Sequence, residues 1–301
     1  MTTLPPDSGL SPRLLKRWVE LDLWAAAEAG ELSRAYEQSA SVQSLGNLLD
    51  QGQSLILTGK VGIGKTALVH ELAVRAHQGR REPKVLVGKR VLQLSFQRCL
   101  SLVGPEELPA AFRELREFLE QAEGVLPFFS DFDLVFHHDL ETQVQEFCDS
   151  YSEVILGEGS PRITRAILEY FPELRRTFRP LALKEPSSRH TRRILAAWAE
   201  REGRFSEGAL EEALYLSQRF LPRQHQPRKA LELLAGTALS ARAKSTLEAE
   251  DVIDRFCQGH GAPPWALDPR EGPVDEDYSR ETARGLGRPR HSARWPDRSE
   301  Q

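Results

Sequence analysis

Gly59-Lys60-Val61-Gly62-Ile63-Gly64-Lys65-Thr66 decides the reading of this 301-residue chain. The stretch fits G-x-x-x-x-G-K-[ST], a glycine-rich turn that wraps phosphate oxygens. Its flanks agree with that. Ser54-Leu55-Ile56-Leu57-Thr58 reads as a short buried strand entering the turn, and residues 67–76 read as a helix leaving it, with Leu68, Leu72 and Ala76 recurring on one face. Glycine permits φ > 0 and close approach of backbone to ligand. The N–H groups of the turn and the positive end of the following helix together form an anion cradle. The expected contacts to a nucleoside triphosphate are therefore Gly59, Lys60, Val61, Gly62, Ile63, Gly64, Lys65, Thr66 and Ala67. Lys65 is expected to reach the β- and γ-phosphates and the Thr66 hydroxyl to ligate Mg²⁺, so ATP and Mg²⁺ are the expected cofactors. Without a ligand the same residues would be a strand-to-helix turn carrying a surface lysine.

Working outward, the totals exclude several classes. A formal charge of −4 gives no bulk signal for nucleic-acid binding. Cys99, Cys148 and Cys257 are far apart and odd in number, which argues for a reducing compartment and against a disulfide framework or zinc site. The first residues are polar and Pro-rich without an apolar signal core, and no apolar run reaches membrane-spanning length, so a soluble cytoplasmic protein is expected.

In chain order, residues 1–12 read as a flexible lead-in and Pro12 to about Gly30 as one helix, with Trp18 and Trp24 as packing residues and Gly30 ending it. Residues 41–49 read as a short amphipathic helix. After the loop helix, the basic connector His77 to Lys84 reads as solvated surface. Strands are expected at 91–94, 125–129 and 154–156, the last closed by Gly157-Glu158-Gly159-Ser160-Pro161, with helices at 109–123, 143–149 and 163–170. The alternation argues for a doubly wound parallel α/β sheet. Past Pro186 only helical patterns remain, at 188–201, 206–220, 227–242 and 248–256, with Ser245 and Glu248 read as a capping box. The expected organisation is an α/β nucleotide-binding part at 13–186, an all-helical part at 187–257 and a disordered tail at 258–301 holding Trp265 and Trp295. A phosphate loop also needs an acidic partner at the end of a neighbouring strand. Asp131, after Leu126-Pro127-Phe128-Phe129-Ser130, is expected to be that Mg²⁺ ligand.

Over roughly residues 20–257 this order of segments resembles the first ATPase domain of the Clp-type AAA+ unfoldase and disaggregase family. The loop through Ala67 is nearly the family form. Ala29-Gly30-Glu31-Leu32-Ser33 is similar to the segment leading into its adenine pocket, and Arg90-Val91-Leu92-Gln93-Leu94 to its second strand. Leu183-Lys184-Glu185-Pro186-Ser187 matches its inter-subdomain joint, and Pro227 to Leu234, with Arg228, is similar to the sensor-2 helix of its lid. The resemblance implies a P-loop AAA+ fold with a C-terminal helical lid. It also implies a ring homo-oligomer, commonly a hexamer, with ATP between subunits, and a protein client. Ser160 would keep the sensor-1 hydroxyl near the γ-phosphate, and Arg176 would match the first of two arginines reaching a neighbour's nucleotide.

The departures are as informative. Phe132 stands where the family's catalytic Glu would follow Asp131, with Asp133 one residue on as a conceivable substitute. Leu108 stands where a pore-loop aromatic would precede a Gly, and Thr177 replaces the second arginine. Two functions therefore compete: an ATPase that assembles into a ring and remodels a protein partner, and a nucleotide-gated assembly or regulatory module with little or no hydrolysis. Nucleic-acid remodelling is weaker, because no aromatic-basic interleaving marks a binding face.

Overall fold

The computed structural model describes residues 12–79, 83–122, 124–138 and 140–261. The lead-in at 1–11, residues 80–82 of the basic connector, and the tail from 262 with Trp265 and Trp295 lie outside the described residues.

The chain runs through α1 (Pro12–Trp18), β1 (Val19–Asp22), α2 (Leu23–Glu28), α3 (Ser39–Asp50), β2 (Ser54–Thr58) and α4 (Lys65–His77). A 3₁₀ turn at Lys84–Leu86 precedes β3 (Arg90–Leu94), α5 (Phe96–Val103), α6 (Leu108–Gln121), β4 (Val125–Phe129), α7 (Leu134–His137) and α8 (Glu141–Ser150). Next come β5 (Leu156–Gly159), α9 (Pro161–Tyr170), α10 (Pro172–Thr177) and β6 (Phe178–Ala182), and then α11 (Ser188–Glu202), α12 (Glu207–Phe220), α13 (Arg228–Ser240) and α14 (Ala249–His260).

The strands form one sheet in the order β1-β3-β4-β5-β2-β6, parallel except for β1, which pairs antiparallel with β3. The mostly parallel α/β sheet with a helical layer beyond it is the expected fold class. Both faces are covered at the centre of the sheet, so β2 and β4 are buried along their whole length and do not alternate between buried and exposed residues. On one face Leu55, Leu57, Leu126, Phe128 and Leu156 pack with α3 and α4 through Leu45, Leu49, Leu68 and Leu72. On the other, Ile56, Leu92, Leu94, Val125 and Phe129 pack with α5, α6 and α8 through Phe96, Phe112 and Phe147. The last four helices enclose a separate core of Leu195, Leu216, Leu234 and Phe256. Among the described residues no helix is long and apolar enough to cross a membrane.

Several expectations need correction. The single helix over Pro12 to Gly30 is broken by β1. Asp22 accepts hydrogen bonds from the Trp24 and Ala25 N–H groups (3.0 and 3.4 Å), starting α2, and pairs with Arg90 on β3. Four residues of edge strand are too few to show alternation in sequence. Trp18 is buried edge-on to Phe96 as a packing residue should be, whereas Trp24 is partly exposed against His77. The helix α5 and strand β6 were not expected. β6 lies at the sheet edge, where Arg179 and Pro180 hide the strand pattern. The capping box of α14 pairs Glu248 with Asp251 and not Ser245 with Glu248, and α14 runs to His260, past the expected start of the tail.

The largest correction concerns β5, which begins at Leu156 and includes Gly157, Glu158 and Gly159, read above as the closing turn. Glycines usually mark turns, but here each makes room. A Cβ on Gly157 would sit 3.2 Å from the Phe132 ring, and one on Gly159 would sit 2.5 Å from an Asp133 oxygen.

Candidate functional site

The strand β2 delivers Gly59 to the rim of a cleft of about 1030 Å³ between the sheet ends and the helical layer. Gly62 and Gly64 lie at φ +90° and +101°, a region closed to most L-residues, and Gly64 caps α4. The buried Lys65 ammonium donates to the loop's own Gly59 and Lys60 carbonyls at 3.1 and 3.2 Å. The loop therefore has the curl, the exposed N–H groups of a helix start and the lysine that phosphate oxygens require.

The Thr66 hydroxyl lies 2.8 and 3.0 Å from the two oxygens of Glu158. Burial raises the Glu158 carboxyl above its ordinary range, opposed by the Lys65 charge and the Thr66 hydrogen bond. Asp131 is not brought to Thr66. Its carboxylate accepts from the Ser95 hydroxyl (2.7 Å) and from the Phe96 and Gln97 N–H groups (2.9 and 2.8 Å) at the start of α5. Phe132 is 1% exposed, packed between Phe129 and Phe178. It is a core residue, held there by its own N–H donating to the Glu158 carbonyl at 3.0 Å. Asp133 accepts from the Ser160 N–H at 2.6 Å, and the Ser160 hydroxyl in turn caps α9. Asp131, Asp133 and Ser160 nevertheless line the same cleft as Lys65 and Glu158.

A polar chain runs behind this group. Glu20 on β1 accepts from the Ser130 hydroxyl (3.0 Å) and the Gln93 amide (2.8 Å), and Gln93 meets His70 of α4 at 2.8 Å. Burial holds the His70 imidazole below its ordinary pKa. Sequence reasoning missed Glu20, Gln93, His70 and Glu158. For Glu158 one signal was present: it stands two residues beyond Leu156, so a strand through both sets them on one face.

A second pocket of about 690 Å³ joins the loop to residues 30–38 and to Ile194, Trp198 and Leu231 of the helical layer. It contains most of the segment expected to lead into an adenine pocket. Arg34 anchors that segment to α4 by a 2.7 Å ion pair with the buried Glu71, which Arg75 also meets at 3.1 Å. The start of α13 sits directly on the phosphate loop, its Arg228 N–H donating to the Gly62 carbonyl at 3.2 Å. The Arg228 side chain reaches both pockets and pairs with Glu232 at 2.6 Å.

Two expected residues lie elsewhere. Arg176 is 84% exposed at the end of α10, immediately before β6, and borders a third pocket with residues of the opposite end of the sheet, such as Ser54. It does not line the pockets around its own phosphate loop. Leu108 is fully buried in α6, so it is not an exposed tip that could grip a substrate.

A mostly parallel sheet with a glycine loop at one strand end and a helical layer docked on that loop has the layout of the P-loop AAA+ fold with a lid. No family model matches the chain. By sequence it is 26% identical to the chaperone protein ClpB of Propionibacterium freudenreichii subsp. shermanii over 91% of this chain and 34% of that one. It is 27% identical to ClpB of Meiothermus ruber over 78% of this chain and 29% of that one, and 24% identical to chloroplastic ClpC of Pisum sativum over 78% and 27%. The fold matches the S. cerevisiae Hsp104-ADP complex with a TM-score of 0.69 at 20% identity, over 91% of this chain and 49% of that one. A closed-state Hsp104 with ATPγS and casein gives 0.65, over 90% and 48%. The homologues of this chain are thus ClpB and ClpC chaperones of the Clp-type AAA+ family, and the chain spans about a third of the length of the curated relatives it matches.

Proposed function

We propose that the chain is an ATP-binding AAA+ module in which nucleotide sets the position of the lid and the assembly of copies into a ring, with hydrolysis slow or absent. The hydrogen bond from the Arg228 N–H to the Gly62 carbonyl carries this reading, because it couples the lid helix to the loop that would hold phosphate. In such a complex Lys65 would leave the Gly59 and Lys60 carbonyls for phosphate oxygens, and Arg228 would meet the same charge from the lid side. The hard oxygen donors at Thr66 suit Mg²⁺, which when bound neutralises phosphate charge. Among the described residues no group of three or more His, Cys, Asp or Glu side chains could hold a metal by itself, which fits a cation completed by phosphate and water.

Slow turnover is supported by the fate of the acidic side chains. Asp131 is engaged by the Phe96 and Gln97 N–H groups at the start of α5, Asp133 holds the Ser160 N–H, and Phe132 between them is in the core, so both carboxylates already serve the fold. The competing reading, a hydrolysing motor that remodels a protein partner, is supported by similarity to Clp chaperones along 91% of the chain and by the exposure of Arg176. In a ring an exposed arginine can reach the nucleotide of the next copy, where it would stabilise phosphate charge.

Melting with Mg·ATP tests the shared part. At a hundredfold excess over the dissociation constant, stabilisation of about 2.7 kcal/mol is expected, and Lys65→Ala should remove it. Phosphate release no higher than that of Lys65→Ala supports the gated module, and clear turnover supports the motor. Mass measurement with and without ATP, on the parent and Arg176→Ala, checks assembly. A parent that neither binds nucleotide nor assembles removes both readings.

A further inference from the structure

We propose that Glu158, together with Thr66, holds the divalent cation of a bound magnesium nucleotide, so that the cation-binding carboxylate comes from β5 and not from β4. The assignment rests on the nucleotide-binding reading above and names the acidic residue of that site.

Strand geometry supplies the first argument. In the parallel pairing of β2 with β5, Leu57 stands opposite Glu158. Side chains of paired residues share a face, and Leu57 lies on the face that packs α4. Glu158 therefore points toward α4, and Thr66 in the first turn of α4 meets both of its oxygens within 3.0 Å. On β4 the corresponding face carries Leu126 and Phe128. The next residue on that face beyond the strand is Ser130, a neutral hydroxyl directed to Glu20 and the Leu94 carbonyl. Asp131 follows on the other side, where α5 claims it.

Replacement cost supplies the second argument. Moving Asp131 to a cation at Thr66 would strip the Ser95 hydroxyl and the Phe96 and Gln97 N–H groups of their acceptor. Glu158 needs no such sacrifice, because among the described residues its carboxylate hydrogen-bonds only to Thr66, a ligand it would share. Its backbone is also held in place. Phe132 donates to its carbonyl at 3.0 Å, and the flanking Gly157 and Gly159 let Phe132 and Asp133 pack hard against the strand. A carboxylate and a hydroxyl on a rigid strand and a helix start are suitable hard donors for Mg²⁺, leaving other positions to phosphate and water.

The test uses ADP, so turnover plays no part. Affinity is measured by calorimetry on the full chain, with excess Mg²⁺ and with EDTA. Magnesium should tighten ADP binding by the parent. In Glu158→Gln that enhancement should fall by on the order of tenfold, equivalent to 1.4 kcal/mol, while the affinity in EDTA stays near that of the parent. Glu158→Asp, which keeps the charge and withdraws it by one methylene, should show a smaller loss and serves if the glutamine variant does not fold. Retention of the full magnesium enhancement in both variants overturns the assignment, as does its loss in Asp131→Asn alone. A parent that binds no ADP under either condition removes the nucleotide-binding reading and this inference with it.

Discussion

The strands β2 and β4 lie in one sheet with only β5 between them, and each carries five buried residues toward the same cleft. Beyond β2 the chain turns into glycines, and what it offers the cleft is backbone: N–H groups, a helix start and one lysine. Beyond β4 it offers side chains, and the structure spends them on itself. Asp131 starts α5, Phe132 fills the core, and Asp133 ties down Ser160. A backbone cradle depends on local conformation, which a short motif specifies. A side-chain site depends on which face each residue takes, so one change in where the strand ends reassigns every role. The acidic contribution reappears on β5, where Glu158 meets Thr66.

The sharpest way to break this contrast is to restore the acid at the β4 end. If Phe132 merely occupied a catalytic position, Phe132→Glu would create a working site and raise turnover. The packing argues otherwise. The ring is buried between Phe129 and Phe178 and in contact range of Gly157. Replacing it costs the lost aromatic burial plus the desolvation of an unpaired carboxylate, on the order of 4 kcal/mol. That is a large share of the stability of an ordinary domain. Urea unfolding should show a collapse of the midpoint or no folded protein at all. A stable variant with faster phosphate release would put Phe132 back in the site.

The contrast also explains what the sequence could and could not reveal. The β2-loop-α4 unit was legible because an apolar strand, a glycine motif and a helical stripe are each local signals that agree. Trp18 and the last four helices were legible for the same reason. β1 and β6 were not, since short edge strands carrying Glu20, Arg179 and Pro180 lack any apolar run. Glu158 was hidden by the glycines on either side of it, which in sequence say turn and in the fold admit the Phe132 ring and Asp133. The reading of Phe132 and Leu108 as altered site residues came from order along the chain, and both side chains proved to be core. Burial is decided by partners distant in sequence, which no local window contains.

A smaller effect sharpens the coupling of loop to lid. Gly62 sits at φ +90°, and a Cβ there would lie 3.0 Å from the Arg228 Cβ. Gly62→Ala should therefore cost about 1–3 kcal/mol of strain, partly relieved if α13 lifts off the loop. The expected outcome is a modest fall in melting temperature with a larger loss of ATP affinity, because the lid contact and the loop curvature suffer together. If both quantities are unchanged, the Arg228 contact to Gly62 does not form in solution and the gating argument loses its support.

The smallest expected effect lies on the far side of the loop, where Arg34 fastens the segment at 30–38 to Glu71. Burial pushes the Glu71 carboxyl up, but the hydrogen bonds and charges of Arg34 and Arg75 outweigh it, and the net shift is downward. A carboxyl whose folded pKa lies below its unfolded value adds stability that is complete above the unfolded value and disappears as pH falls through the folded one. Arg34→Ala should therefore cost up to about 1 kcal/mol at neutral pH, since Arg34 is partly exposed and Arg75 remains. The difference from the parent should shrink toward zero as Glu71 becomes protonated in acid. Paired thermal melts across that range would check it. A penalty that stays constant with pH would mean Arg34 acts by packing alone, and the loop's outer wall would then owe nothing to charge.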